Sequence, residues 1–136
     1  MTYLLDTSVW FRVVTDPDTV PAEFQRLLQA SDYPVKLSAI SVWEVGKKHQ
    51  IGKLKLATDL VTWFATALPS SVEIIPITPD IVAQAMALKD FPNRDPADEL
   101  VVATARVHDL TLLTTDTAIK NYPHARVRYF TPILRK

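Results

Sequence analysis

Four acidic residues, far apart in the chain, each lie near a point where a predicted strand gives way to a helix or turn: Asp6, Glu44, Asp98 and Asp116. In a chain that alternates strands with helices, these points gather at one end of the sheet, which is where ligands bind. Carboxylates that lie close together repel one another unless a cation lies between them. Hard divalent cations prefer oxygen ligands. The four residues therefore predict a site for Mg²⁺ or Mn²⁺, of the kind that a metal-dependent phosphodiesterase uses.

Asp6 directly follows the apolar run at residues 3–5. One interpretation is a helix N-cap, since aspartate is favoured at that position. Thr7 and Ser8 could cap the same helix, however, and a charge at the end of a buried strand is unfavourable unless it is paired or binds a metal. We therefore favour the interpretation of Asp6 as a metal ligand.

Glu44 has a strong structural alternative. It follows Ser41 by three residues, and this spacing matches the capping box, in which the glutamate side chain bonds back to the N-cap amide. Taken alone, Glu44 fits a capping box better than a functional site. Its assignment to the site depends on the other three acids.

The two later acids also have local alternatives. Asp95 stands before a proline, which is the pattern of an N-cap followed by proline at the first helical position, so we assign it a structural role. Asp98 faces the site if residues 100–105 pack into the core, although an acid in the first turn also suits the helix dipole. Asp116 could be a cap or turn residue, and Thr115 beside it adds a hydroxyl to the site.

The elements that must position these residues alternate along the chain. Apolar runs predict strands at 3–5, 35–40, 72–77, 111–114 and 127–130. Helical spacing and capping residues predict helices that begin at residue 7 and that cover 21–28, 41–51, 60–68, 79–88, 95–105 and 116–121. This alternation predicts an α/β fold with a mostly parallel central sheet covered on both faces, in a single domain spanning residues 1–136.

Composition excludes several classes of protein. The 136 residues carry 15 basic and 15 acidic side chains, so the molecule as a whole is not a polycation that binds DNA non-specifically. Cysteine is absent, which excludes disulfides and thiolate metal sites. The N-terminus lacks the pattern of a signal peptide, and no apolar run approaches the roughly 20 residues that span a membrane. We therefore expect a cytoplasmic protein with no membrane partner.

Four blocks of sequence carry a family resemblance: residues 4–10 (LLDTSVW), 38–45 (SAISVWEV), 94–105 (RDPADELVVATA) and 112–116 (LLTTD). In this order, and over nearly the whole chain, they resemble the PIN-domain ribonucleases, in particular the VapC-type toxins of bacterial and archaeal toxin–antitoxin pairs. Residues 47–54 (KKHQIGKL) are similar to one subgroup of these toxins. The chain departs from the pattern at Glu99, where many relatives carry arginine, and at Asn93, where relatives often have histidine.

The resemblance implies a PIN-like three-layer α/β/α fold and Mg²⁺- or Mn²⁺-dependent endoribonuclease activity. It implies tRNA, rRNA or mRNA as substrate, homodimerisation, and inhibition by a cognate antitoxin protein. The family's catalytic acids correspond to Asp6, Glu44, Asp98 and Asp116. Asp6, Asp98 and Asp116 would be the metal ligands, and Thr7 and Thr115 would be accessory residues.

Residues that contact RNA are a separate prediction. Arg94, Arg12 and Lys47, together with Lys48 and Lys53, could form a rim that receives phosphates, although each alone also fits an ordinary solvated charge. Trp10 and Trp43 could stack on bases, or they could belong to the core or to a partner-binding surface. An apolar groove for an antitoxin helix, or a dimer face, could include Phe11, Trp10, Ile51 and Leu54.

Other functions fit the sequence less well. A phosphatase of the haloacid dehalogenase type needs a second aspartate two residues after the first, where this chain has Ser8. A receiver domain needs a lysine after a late strand, and Lys120 lies too far into the predicted helix. The main alternative is a PIN-fold module that binds RNA or protein with little or no nuclease activity.

Overall fold

The central sheet is formed by five strands, each short and rich in leucine, isoleucine or valine. The computed structural model describes residues 2–30, 34–93 and 95–134. Within these ranges all strand pairs are parallel, and the order across the sheet is β3-β2-β1-β4-β5. The strands are β1 (Tyr3–Leu5), β2 (Val35–Ser38), β3 (Val72–Ile75), β4 (Thr111–Thr114) and β5 (Val127–Tyr129). The predicted α/β fold with a parallel sheet is confirmed.

The order of the strands creates a crevice at the carboxyl end of the sheet. From β1 the chain moves outward to β2 and β3, and it then returns to the other side of β1 to form β4 and β5. Strands β1 and β4 are direct neighbours, with Leu5 paired to Leu113. In open parallel sheets, ligands bind beyond the carboxyl ends of the strands where the order reverses in this way. The crevice between β1 and β4 is therefore the expected position of a site.

Helices cover both faces of the sheet. They are α1 (Thr7–Thr15), α2 (Ala22–Ala30), α3 (Ala39–Gln50), α4 (Leu60–Ala67), α5 (Pro79–Met86) and α6 (Pro96–Val107). Successive strand side chains point to opposite faces. Leu5 accordingly packs with the cluster that contains Trp10 and Trp63, whereas Leu4 packs with the cluster that contains Ile81 and Val101. This arrangement gives three layers, with the sheet in the middle.

Several element boundaries follow from single residues. Thr78 caps α5, which has proline at its first position, and Asp95 caps α6 in the same way, as predicted. Gly52, at a φ of 81°, ends α3. There the Gly52 amide donates to His49 O, and the Lys53 amide donates to Lys48 O, at 3.1 and 2.8 Å. These two bonds form a Schellman motif, which turns the chain sharply after the helix.

Other predicted boundaries were wrong for identifiable reasons. Helix α3 begins at Ala39 rather than at residue 41, because the Ser38 hydroxyl accepts a hydrogen bond from the Ile40 amide and ends the strand there. Strand β3 stops at Ile75, since Pro76 has no amide hydrogen with which to continue the ladder. Residues 116–121 form turns instead of a helix.

Trp10 belongs to the core, so of the alternatives considered for it the core position is confirmed and base stacking is excluded. Its side chain is only 1% exposed, its indole nitrogen donates to Ala67 O at 3.0 Å, and its ring packs edge-on against Trp63 with 5.3 Å between centroids. The Trp10 side chain thus connects α1 to α4 through a hydrogen bond and a ring contact.

No described helix is long and apolar enough to cross a membrane.

Candidate active site

Asp6 ends β1 and is held by hydrogen bonds on both carboxylate oxygens. Oδ1 accepts from the Thr7 amide at 2.8 Å, and Oδ2 accepts from the Thr114 hydroxyl at 2.6 Å. Asp6 is itself the N-cap of α1, so neither Thr7 nor Ser8 takes that position. Capping and a functional role are thus not exclusive, because a single carboxylate does both. The Thr114 hydroxyl comes from the end of the neighbouring strand β4 and fixes the Asp6 carboxylate across the crevice.

Glu44 lies inside α3 and not in its first turn. Because Ser38 is the N-cap, the capping box predicted for Ser41 and Glu44 does not form. Glu44 is only 9% exposed, and its Oε1 accepts a hydrogen bond from the Thr7 hydroxyl at 2.6 Å. The same hydroxyl is 2.7 Å from the buried Ser41 hydroxyl. Lys48 Nζ lies 3.8 Å from the other carboxylate oxygen of Glu44. Helix α1 therefore orients a carboxylate that belongs to α3.

Asp98 lies in the first turn of α6, three residues after the capping residue Asp95. Asn93 donates from its side-chain amide to Asp98 Oδ2 at 3.0 Å. Asp95, which was assigned a structural role, accepts from the Ala97 amide at 2.9 Å. The two aspartates thus have different partners although they are only three residues apart, and Asp98 is the one whose carboxylate is left to face other acids.

Asp116 lies just beyond β4, where it begins a turn. Its Oδ1 accepts from the Ala118 amide at 2.8 Å, and its own amide donates to the Thr114 hydroxyl oxygen at 3.0 Å. Thr115 forms a 2.9 Å hydrogen bond with the Ser8 hydroxyl. Sequence reasoning did not single out Thr114, which joins Asp6 to Asp116. A hydroxyl at the last position of a buried strand that ends at the crevice was the signal that could have identified it.

The acids influence one another electrostatically. The pKa of Asp6 is raised from an ordinary 3.8 to about 6. Burial is the main cause, and the charges of Glu44 and Asp116 contribute to the same rise. The pKa of Asp98 is raised to about 7. Burial is the largest cause, and the charges of Asp6, Asp95 and Asp116 contribute smaller amounts in that order. All four predicted site acids therefore lie close enough to repel. Such repulsion is relieved by protonation or by a cation.

The donor set suits a hard divalent cation. Among the described residues, the carboxylate oxygens of Asp6, Asp98 and Asp116 and the hydroxyl oxygen of Thr114 lie at the crevice, and Mg²⁺ and Mn²⁺ prefer oxygen ligands. Among the residues that the structure describes, no three acidic, histidine or cysteine side chains are arranged as a ready ligand set. Magnesium in proteins typically uses one or two carboxylates and keeps several waters, so the coupled pair Asp6 and Asp98 fits such an ion.

Comparison with known proteins agrees with the fold. The family model for the PIN domain matches residues 3–125. This chain belongs to the PIN domain family. It is 31% identical over 126 residues to Ribonuclease VapC22 of Mycobacterium tuberculosis (strain ATCC 25618 / H37Rv), a match that covers 92% of this chain and 95% of that protein.

Solved structures of PIN-type toxins share the architecture. The chain matches the structure of FitAcB from Neisseria gonorrhoeae with 26% identity and a TM-score of 0.57, covering 92% of this chain and 95% of that one. It matches VapBC2 from Rickettsia felis, bound to a DNA fragment from their promoter, with a TM-score of 0.72 over 95% of this chain and 98% of that one. Identity to the second structure is 18%, so this match concerns the fold alone.

The basic residues predicted to contact RNA differ in exposure and in hydrogen-bond partners on this PIN domain. Arg12 is half-buried, donates from Nη1 to the Thr19 hydroxyl at 3.2 Å, and lines a cavity of about 280 Å³ with Thr7 and Ser8. Lys47 is exposed and donates to the Gln50 side chain at 2.8 Å. Arg94 lies outside the described residues. Arg12 and Lys47 thus line two different cavities, one beside Thr7 and the other beside Glu44.

Proposed function

We propose that this PIN domain is a metal-dependent endoribonuclease and the toxin of a type II toxin–antitoxin pair. The observation that carries the proposal is the set of acids at the β1–β4 crevice, where the charges of Glu44 and Asp116 act on Asp6 and those of Asp6 and Asp116 act on Asp98, in a chain similar to a ribonuclease. Carboxylates that repel in this way raise the free energy of the folded protein. A function that uses them explains why the fold keeps them together.

The ion is proposed to be Mg²⁺, with Mn²⁺ as an alternative. Asp6 and Asp98 would hold it, and Asp116 would complete the site. A divalent ion there supplies positive charge to the phosphate and lowers the pKa of a water molecule toward neutrality. The hydrogen bonds from Thr114 and Asn93 keep the Asp6 and Asp98 carboxylates oriented toward that position.

Glu44 is proposed to orient the attacking water and accept its proton. Its Oε1 is fixed by the Thr7 hydroxyl, while Oε2 is 3.8 Å from the Lys48 ammonium group. In-line attack of that water on phosphorus would break the bond to the 3′ oxygen and leave 3′-hydroxyl and 5′-phosphate ends. The three histidines are proposed to take no part, because His49 lies 3.3 Å from Leu54 O, His108 is at the C-terminal end of α6, and His124 packs against Tyr122.

An antitoxin protein and a second copy of the chain are proposed as partners. The similarity to VapBC2 and to FitAcB, which are toxin–antitoxin complexes of the same fold, supports an antitoxin. A homodimer and a cytoplasmic location stay predictions from the family resemblance. The target RNA is tRNA, rRNA or mRNA by the same reasoning.

The proposal is tested by incubating the protein with total small RNA in Mn²⁺, in Mg²⁺ or in EDTA, and by mapping the ends of the products. We expect cleavage that needs the ion, leaves 5′-phosphates, and disappears in Asp98→Asn. The matched control is Asp95→Asn, which alters the carboxylate that caps α6 three residues away; because it changes only a neighbouring charge and not the proposed ligand, we expect it to reduce cleavage far less than Asp98→Asn does. Products with 2′,3′-cyclic phosphates would contradict the mechanism. Absence of both cleavage and ion binding would favour a binding module without nuclease activity.

Thr7 is expected to act as a positioning residue for Glu44. Thr7→Val keeps the buried volume but removes the hydroxyl that donates to Oε1 at 2.6 Å. We expect kcat to fall about 10- to 100-fold, the usual effect of losing a hydrogen bond that orients a ligand or base, with a smaller change in KM. Thr7→Ser, which keeps the hydroxyl, should restore most of the activity. Equal activities for the valine and serine variants would show that the hydrogen bond has no role.

A further inference from the structure

A groove opens directly beside Glu44, between one face of α3 and the first turn of α6. The α3 residues that line it recur at intervals of three and four, so they form one continuous stripe: Ile40, Trp43, Glu44, Lys47, Lys48 and Ile51. The opposite wall consists of residues 95–97, just before Asp98. The groove has a volume of about 550 Å³, which lies within the range of pockets that bind small organic ligands. It is thus a cavity continuous with the proposed active site.

The walls of the groove are mostly carbon, and its largest surface is an exposed indole. Trp43 is 58% exposed and Ile51 is 53% exposed, although both are large apolar side chains. The two other tryptophans, Trp10 and Trp63, lie in the core. Trp43 packs against no aromatic ring among the described residues. A flat apolar surface is therefore offered to whatever enters the groove.

Three lysines surround the indole. Lys47 and Lys48 come from the stripe on α3, and the Schellman turn at Gly52 brings Lys53 back to the same groove. Two acids also line it, but both are engaged: Asp95 caps α6, and Glu44 accepts from Thr7. The groove thus combines an aromatic face with a cationic rim at its outer part and a carboxylate at its inner end.

We propose that this groove binds an unpaired nucleobase of the RNA substrate, stacked on Trp43, while its flanking phosphates lie against Lys47, Lys48 and Lys53. This inference rests on the proposed ribonuclease function and adds a subsite to it. Aromatic side chains combined with lysines are the pattern by which proteins hold single-stranded nucleic acid. Because the groove reaches Glu44, a nucleotide stacked there would place a neighbouring phosphodiester at the acids. The enzyme would then select RNA that is single-stranded next to the cleaved bond.

The charge of the rim favours RNA over an apolar protein helix as the occupant. A helix that filled the groove with aliphatic side chains would bring three ammonium groups close to a dry interface, which is unfavourable unless each is paired. Phosphates on either side of a base satisfy these charges without further groups. A protein partner or a second copy of the chain is nevertheless a distinguishable outcome of the test below.

The test uses intrinsic fluorescence, because Trp43 is the one tryptophan that a base can reach. The intact protein in EDTA, which prevents cleavage, is titrated with a short oligoadenylate and with an abasic oligomer that has the same number of phosphates. We expect quenching by the oligoadenylate and weaker binding of the abasic oligomer. Trp43→Ala should weaken binding of oligoadenylate by roughly 5- to 100-fold, as measured by anisotropy of a labelled oligomer, and Trp43→Phe should retain most of the affinity. Since Trp43 is exposed, neither variant should change the melting temperature.

The alternative outcomes separate this inference from the proposed function. If the wild-type protein cleaves RNA and Trp43→Ala has the same kcat/KM and affinity, the ribonuclease stands and the base-binding groove is overturned. If the wild-type protein does not cleave but Trp43→Ala weakens the binding of labelled oligoadenylate, as measured by anisotropy, the groove is supported and the nuclease is overturned. Equal binding of the abasic oligomer would mean that the lysines act alone, and the proposal fails. It also fails if Trp43→Ala converts a dimer into a monomer in sedimentation without changing RNA affinity.

Discussion

Asp6→Asn is expected to abolish RNA cleavage and, at the same time, to make the protein more stable in the absence of metal. The Asp6 side chain is 5% exposed, and burial raises its pKa from 3.8 to about 6. Because the pKa is higher in the folded protein than in the unfolded chain, ionisation of Asp6 lowers the free energy of unfolding by roughly 3 kcal/mol once the pH exceeds about 6. Asparagine is uncharged, and its Oδ1 can still accept from the Thr7 amide, while its Nδ2 would donate to the Thr114 hydroxyl oxygen in place of the bond that Asp6 accepts.

Urea denaturation in EDTA at about pH 8 measures the increase in stability. The gain in unfolding free energy should shrink as the pH falls through about 6 and should vanish near pH 3, where Asp6 is protonated in both the folded and the unfolded state. The activity part is a fall in kcat/KM on the order of 100-fold or more, since the variant removes a proposed ligand itself and not only its hydrogen-bond partner.

The matched control is Asp59→Asn. Asp59 also caps a helix, as Asp6 does, but it is exposed to solvent and Asp6 is buried. Asp59 caps α4 and accepts from the Thr62 amide at 2.8 Å, but it is exposed, and that hydrogen bond lowers its pKa. The charge of Asp59 therefore favours the fold, so Asp59→Asn should slightly reduce stability at neutral pH. If both variants changed stability in the same direction, the repulsion at the crevice would not be the cause of the effect at Asp6.

The second large effect is the combined dependence of the unfolding free energy on a divalent metal ion and on pH. A carboxyl with a raised pKa binds protons more tightly in the folded state than in the unfolded chain, so stability falls as the pH rises. For Asp6 and Asp98 this loss begins near the ordinary value of 3.8 and is complete above about 6 and about 7, respectively. Asp98 is only half-buried, so solvent screening reduces its share. A divalent ion that binds the same ionised carboxylates, as proposed above, should restore the lost stability.

Mn²⁺ is therefore expected to raise the unfolding free energy by about 2.7 kcal/mol at a concentration 100 times its Kd. The effect should be present near pH 8 and nearly absent near pH 5, because protons compete for the carboxylates there. Thermal melts with and without Mn²⁺ at the two pH values measure it, and Asp98→Asn should show little response. An equal stabilisation by Mn²⁺ at both pH values, or in Asp98→Asn, would place the ion elsewhere.

Local sequence determined the elements and the end of the sheet at which chemistry could occur. The pairs Thr78-Pro79 and Asp95-Pro96 start helices, and Gly52 ends one, because these residues act on the backbone within a few positions. Alternation of strands and helices predicted the parallel sheet. Since strands in such a sheet point the same way, acids that follow them were expected to gather at one edge.

Tertiary structure decided what each side chain does at that edge. Glu44 matched a capping box in the sequence, and only its contact with Thr7, 37 residues earlier, shows that it faces the crevice. The bond from Thr114 to Asp6 joins residues 108 positions apart, so no local pattern contains it. Trp10 and Trp43 each lie near the start of a helix after a strand, yet one is buried and the other exposed. Their difference arises because α4 packs over α1 but leaves that face of α3 open, a consequence of long-range packing that short-range propensities do not encode.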